Sequence, residues 1–245
     1  MQLAVINPNT TEETIEGLAR TADEHTSDDV TVVARAADCG PETIESHYDD
    51  ALSVPGLLDQ ILTDDESDAF VDACFDDPGI DACREVTDRP VVGVGEASMY
   101  YANMLGVKFS VVSVAPRGKH SVEKAVSRAG LEGKCASIRC TDLGVADVED
   151  DREATVRALV EVGRRCVEED EAEAICLGCS GMANLDTDVE AELGVPVVDP
   201  TAAAATLAEG LLRMGKTTSK VRTYATPESK ERVGYPEQFQ FRDTE

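Results

Sequence analysis

A chain of 245 residues with 42% hydrophobic content is long enough for one compact unit or two small lobes, and its composition is that of a folded protein. The formal net charge is −27, and only seven of the 22 basic residues are lysines. Such an acidic, lysine-poor surface resembles proteins of salt-loving organisms, where ionic strength screens self-repulsion, and it excludes nucleic acid as a partner because phosphate would be repelled.

Short β-branched runs alternate with helical patterns along the chain, which predicts a parallel sheet architecture with crossover helices, an α/β fold. Strands are read at about 2–6, 30–35, 69–73, 91–94, 108–114, 136–140, 173–177 and 196–198, with side chains mostly buried on both faces. Thr10-Thr-Glu-Glu13 reads as a capping box ahead of a helix, and Asp77-Pro78 as an N-cap followed by proline at the first helical position. Residues 153–169 carry Val156, Leu159, Val160 and Val167 at helical spacing. The acidic stretches Asp64–Asp68 and Asp147–Asp151 read as surface connections. Beyond Thr201 an alanine-rich helix runs to about Met214, and the polar segment after Lys216 carries no clear period.

No apolar run approaches the roughly 20 residues that a membrane span requires. The start, Met1–Pro8, lacks a basic signal region. The expectation is a cytoplasmic, homo-oligomeric protein that acts on a small molecule, with its eight cysteines reduced and no membrane contact.

One pattern is written twice. Asp68-Ala-Phe-Val-Asp-Ala-Cys74 leads through a helical stretch to Arg89-Pro-Val-Val-Gly93, and Glu173-Ala-Ile-Cys-Leu-Gly-Cys179 leads through another to Val195-Pro-Val-Val-Asp199. The copies are offset by about 105 residues, with Leu3–Pro8 corresponding to Phe109–Pro116. Lobe 1 is therefore read as residues 1–98 and lobe 2 as 99–204, with a boundary near Met99–Gly106 and a polar tail over 226–245. Two similar lobes facing each other would present one thiol from each side of a shared cleft.

Each of Cys74 and Cys179 ends an apolar strand before a turn toward a helix, the place where parallel sheets bind ligands. A helix N-terminus there would favour the thiolate, and a thiol with its ordinary pKa near 8.5 needs only modest help to act at neutral pH. One thiolate and one thiol can then serve as general base and general acid, exchanging roles with the enantiomer bound. Asp76 and Asp77 work against this by raising a neighbouring thiol pKa unless their side chains turn away.

A single free cysteine is most often a small buried residue, and that reading is kept for Cys39, Cys83, Cys135, Cys140, Cys166 and Cys176. The matched positions of Cys74 and Cys179 favour catalysis. Cys176 and Cys179 form a lone Cys-x-x-Cys, a weak redox or zinc signal. Gly93-Val-Gly95 supplies only two glycines of a dinucleotide fingerprint. His25, His47 and His120 have no metal-ligand spacing with the cysteines; His47 and His120 are read as exposed rather than bordering a site. No cofactor is expected.

At these residues the chain resembles the cofactor-independent Asp/Glu/hydantoin racemase superfamily, in particular its hydantoin and allantoin branch. The matching pieces are Ile6-Asn-Pro-Asn-Thr10, Ala73-Cys-Phe-Asp-Asp-Pro-Gly79, Pro90–Ala97, Leu177-Gly-Cys-Ser-Gly-Met182 and Val195–Pro200. The resemblance implies two pseudo-symmetric Rossmann-like lobes with the active site in the cleft between them. It also implies a C-terminal segment, about 205–225, that crosses back to complete the first lobe. Cys74 and Cys179 take the positions of the family's catalytic cysteines. Asn9, Phe75, Asp77, Arg117, Ser180 and Gly181 are the implied substrate-binding residues, while Thr10 reads as the helix cap alone. The branch commonly has glycine where Asp76 stands.

Cys-Phe-Asp-Asp and Gly-Cys-Ser-Gly-Met, in place of the amino-acid racemases' Cys-Asn-Thr and Gly-Cys-Thr, shift the expected substrate to a 5-substituted hydantoin or related ureide. Three other readings compete: an aspartate- or glutamate-type racemase, a maleate-type cis–trans isomerase with a covalent cysteine adduct, and a non-catalytic small-molecule-binding protein on the same scaffold.

Overall fold

The structure, a computed structural model, describes every residue except 115, 142, 144–147, 149–150 and 243–245. Its strands are β1 (Gln2–Asn7), β2 (Thr31–Ala36), β3 (Ala69–Asp72), β4 (Val91–Gly93), β5 (Phe109–Ser113), β6 (Cys135–Cys140), β7 (Ala174–Leu177) and β8 (Val197–Val198). They form two four-stranded parallel sheets, ordered β2-β1-β3-β4 and β6-β5-β7-β8. The second sheet thus repeats the topology of the first, strand for strand.

The helices are α1 (Ile15–Glu24), α2 (His47–Leu62), α3 (Ile80–Val86), α4 (Val94–Leu105), α5 (Lys119–Arg128), α6 (Arg152–Asp170), α7 (Asp186–Leu193) and α8 (Pro200–Arg213). Strand side chains alternate between cores, as the two-residue period of a strand demands. Leu3, Val5, Ala69, Val71, Phe109, Val111, Ala174 and Cys176 face a central core shared by both sheets with α1, α4, α5 and α8. Ala4, Ile6 and Phe70 face α2 and α3. Val112, Ile175 and Leu177 face α6 and α7.

The two lobes therefore share one interior. Helix α4 runs unbroken across the boundary proposed near Met99–Gly106, and α8 returns to pack on α1, α4 and the first sheet. No helix among the described residues is long and apolar enough to cross a membrane.

Several local expectations are corrected. The residues Thr10–Glu13 are no capping box: α1 starts at Ile15, its N-cap Thr14 makes no side-chain cap bond, and Thr10 Oγ1 donates to the Pro41 carbonyl instead. Asp77-Pro78 does not open a helix either, because α3 begins at Ile80 after the left-handed Gly79 (φ 65°). Asp64 and Ser67 are buried, held in a turn in which Asp64 accepts from the Ser67 amide and hydroxyl and pairs with Arg35, so that stretch is only partly surface. In the second acidic stretch, residues 147, 149 and 150 lie outside the described residues; Asp151 accepts from Ala154 N and caps α6.

The segment after Lys216 is tied down over lobe 1. Lys220 Nζ donates to the Arg84 and Glu85 carbonyls at the end of α3, and Tyr224 donates to Asp81. Of the six cysteines read as small buried residues, Cys39 is exposed and Cys135 and Cys140 are only half-buried.

Candidate active site

The central strands of both sheets end at one cavity between the lobes. Asn7 closes β1, Cys74 follows β3, Ser113 closes β5 and Cys179 follows β7, and all four line the same space. Sites at the carboxyl ends of parallel strands arise because the chain there turns away and leaves a crevice. The cavity holds about 70 Å³. At about 10–15 Å³ for one water on this measure, that is room for a few waters or a small ring. Gly178 lets the two lobe 2 strand ends meet, since a Cβ there would stand 2.9 Å from Ser113 Cα.

Burial is the first cause that pushes the Cys74 thiol pKa well up, and the charges of Asp76 and then Asp72 add to it. This reverses the expectation of a thiolate favoured by a helix. Helix α3 starts six residues after Cys74, and its amides do not offset burial and two carboxylates. Asp72 is buried, neither carboxyl oxygen has a hydrogen-bond partner among the described residues, and its own pKa is pushed well up by burial and then by Asp77. Asp76 lines the cavity, and burial followed by the charge of Asp50 lifts its pKa to about 7 against the pull of Arg128. Position for position, lobe 2 carries Leu177 and Gly181 where lobe 1 has Asp72 and Asp76.

Asp77 turns away from the cavity. Its Oδ1 accepts from Gly95 N at 2.8 Å and its Oδ2 from Glu96 N at 3.0 Å, so it caps α4 from outside. Arg128 of α5 donates to the same carboxylate at 2.8 Å, joining lobe 2 to this cap. The price in backbone conformation is a left-handed Asp77 at φ 47°. Gly93 and Gly95 belong to this packing: a Cβ on Gly93 would lie 2.3 Å from Asp77 Cγ, and one on Gly95 2.0 Å from the Phe75 carbonyl. Burial, then the charge of Glu96, lifts the Asp77 pKa to about 7 against Arg128 and the two amides.

Of the implied substrate contacts, Asn9, Phe75 and Ser180 line the cavity with the two cysteines, whereas Asp77, Gly181 and Arg117 do not. Arg117 is exposed in the turn Pro116–Gly118, whose last residue reaches the cavity instead. Asn9 is braced as its Oδ1 accepts from Thr11 N, while Asn7 Nδ2 donates to the Thr11 carbonyl and to Thr14 Oγ1. Ser180 spends its hydroxyl on the Ala73 carbonyl, 2.6 Å away in the other lobe.

Sequence reasoning missed Asn7, Ile44, Glu45, Gly118 and Val122 as lining residues. Asn7 was within reach, sitting at the end of β1 where the strand-end rule applies. Ile44 and Glu45 precede α2, which Pro55 disguises, and Gly118 and Val122 arrive from the other lobe. His47 and His120 are exposed, with rings 5.7 Å apart, and His47 meets Ser121 across the lobes. Cys176 is buried and donates to the Ser98 carbonyl at 3.5 Å, which takes it out of any pair with Cys179. No cluster of three metal-ligating side chains occurs among the described residues.

The chain is similar to known proteins along most of its length. The profile of the family described as Asp/Glu/Hydantoin racemase matches residues 3–208. A hydantoin racemase of Pseudomonas sp. (strain NS671) is 48% identical over 98% of this chain and 97% of its own length. Allantoin racemase from Pseudomonas fluorescens superposes with a TM-score of 0.93 at 37% identity, covering 96% of this chain and all of that one (100%). The Klebsiella pneumoniae allantoin racemase gives 0.92 at 34% identity, with 96% of each chain covered. Glutamate racemase RacE1 of Bacillus anthracis, 18% identical with a TM-score of 0.62, shares the fold over 87% of this chain and 82% of its own. Two thiols at equivalent strand ends, a repeated sheet topology and this match along most of the chain lead to one conclusion: the protein belongs to the Asp/Glu/hydantoin racemase family.

Proposed function

We propose that this protein racemises 5-substituted hydantoins or related cyclic ureides by two-base proton transfer between Cys74 and Cys179, without a cofactor. The observation that carries the reading is the placement of the two thiols at equivalent strand ends around one small cavity. The printed activities of the similar hydantoin and allantoin racemases support the ureide class.

The hydrogen on C5 of a hydantoin is acidified by the adjacent C4 carbonyl. A thiolate on one face removes that proton, and the C5–H electron pair moves into the C4–O enolate. The thiol on the other face then delivers its proton to C5 as the enolate returns to carbonyl, giving the mirror-image product. The sulfurs end with their protonation states exchanged, so the next substrate is the opposite enantiomer or the pair is reset through solvent. Burial and the neighbouring acids push the Cys74 thiol up, which favours its protonated form at rest.

Incubating single enantiomers of 5-benzylhydantoin, allantoin, aspartate and glutamate in D2O tests the substrate class. Catalysed loss of optical rotation with deuterium uptake is expected on a cyclic ureide and not on the free amino acids. Turnover of aspartate or glutamate alone would overturn the ureide reading.

A further inference from the structure

The charges at the cavity are one-sided. Asp76 and Glu45 line it, and no lysine or arginine does so among the described residues. Neither side-chain carboxylate makes a hydrogen bond or ion pair with a described residue; their engaged groups are backbone ones, the Glu45 amide with Asp49 and the Asp76 carbonyl with Arg128. The acid Asp50 stands close enough to Asp76 to act on its charge. Of the cations nearby, Arg128 is taken up by the Asp77 carboxylate and the Asp76 carbonyl, and Arg117 is exposed outside the lining. Lys124 acts on Asp50, also from α5. A carboxylate entering this space meets like charge in a partly desolvated setting, where Coulomb terms are several-fold larger than in water. A cation meets two unpaired acceptors.

Taking the ureide reading as given, we propose that Asp76 and Glu45 determine substituent specificity, so that the site prefers ureides with a cationic 5-substituent over those with a carboxylate. An Asp76 whose pKa stands at about 7 fits this role, since an arriving cation would stabilise its ionised form.

Three hydantoins of similar reach test the idea: 5-(4-aminobutyl), 5-butyl and 5-(2-carboxyethyl). Catalysed deuterium exchange at C5 gives kcat/KM for each, and calorimetry gives Kd for the same compounds without requiring turnover. The aminobutyl compound is expected to exceed the carboxyethyl compound at least ten-fold in both measures. That ratio should fall several-fold in Asp76→Asn and again in Asp76→Asn with Glu45→Gln. Glu168→Gln, an acid on the outer face of α6, should leave it in place and so separate a local effect from the −27 field of the whole chain.

Equal ratios in wild type and the Asp76 and Glu45 variants would overturn the inference. Charge-selective binding without exchange on any of the three would count against the racemase reading and leave the specificity assignment standing.

Discussion

The Ser180 hydroxyl donates a 2.6 Å hydrogen bond to the Ala73 carbonyl, so the residue after one cysteine grips the residue before the other. This bond crosses the cleft and sets the approach of the two cysteine loops directly. Two-base chemistry depends on that approach, because both sulfurs must address opposite faces of one carbon. Positioning errors near 1 Å cost about 10²-fold in rate.

Ser180→Ala is expected to leave the fold intact and destabilise it by about 1 kcal/mol, the net worth of one hydrogen bond. At this chain length that lowers Tm by roughly 2–4 °C. The fall in kcat should be larger than the stability loss alone would suggest, at least ten-fold. Thermal unfolding and steady-state kinetics on one preparation measure both; an unchanged kcat would show that the bond does not set the loop spacing.

Asp77 ties the start of α4 to Arg128 and so joins the lobes behind the cavity. Asp77→Ala removes two buried amide acceptors and an ion pair and places alanine at positive φ, which should cost about 3 kcal/mol. Asp77→Asn keeps the shape, tolerates the backbone and retains one acceptor, so about half that loss is expected. Urea unfolding measures both, and equal losses would indicate that charge, not geometry, carries the role.

The buried acids give an unusual pH dependence. Asp76 has a folded-state pKa of about 7, above the ordinary carboxylate value of 3.8. Between those values the folded state binds more protons than the unfolded chain, so stability falls as pH rises through that window. Wild type should therefore gain stability from pH 7 to pH 5, with Asp76 contributing about 2 kcal/mol. Asp76→Asn should flatten the rise by that amount in urea melts at the two pH values. A parallel rise in the variant would show that Asp76 titrates normally.

The strands were legible because most are short apolar runs buried along their length, while the edge strands β2 and β6 are only partly buried. The paired cysteines were legible because the repeat fixes them to equivalent strand ends. Local cap rules failed where long-range partners won. Asp77 looked like a cap for the helix directly after it, yet its carboxylate caps α4, 18 and 19 residues away at Gly95 and Glu96. Thr10 looked like a cap for α1, yet its hydroxyl goes to Pro41, 31 residues on. Glu45 gave no sequence signal, because its place at the cavity depends on how the loop before α2 folds over β1 and β3.

Two-base racemisation requires both thiols to move protons on one carbon. Cys74→Ser and Cys179→Ser, each shown to be folded by circular dichroism, should be assayed for racemisation of both enantiomers of a 5-substituted hydantoin that wild type turns over. Each single substitution is expected to lower racemisation at least 10³-fold in both directions, since the general acid and base are each needed whichever enantiomer enters. Retention of wild-type racemisation by either variant would contradict the two-base mechanism.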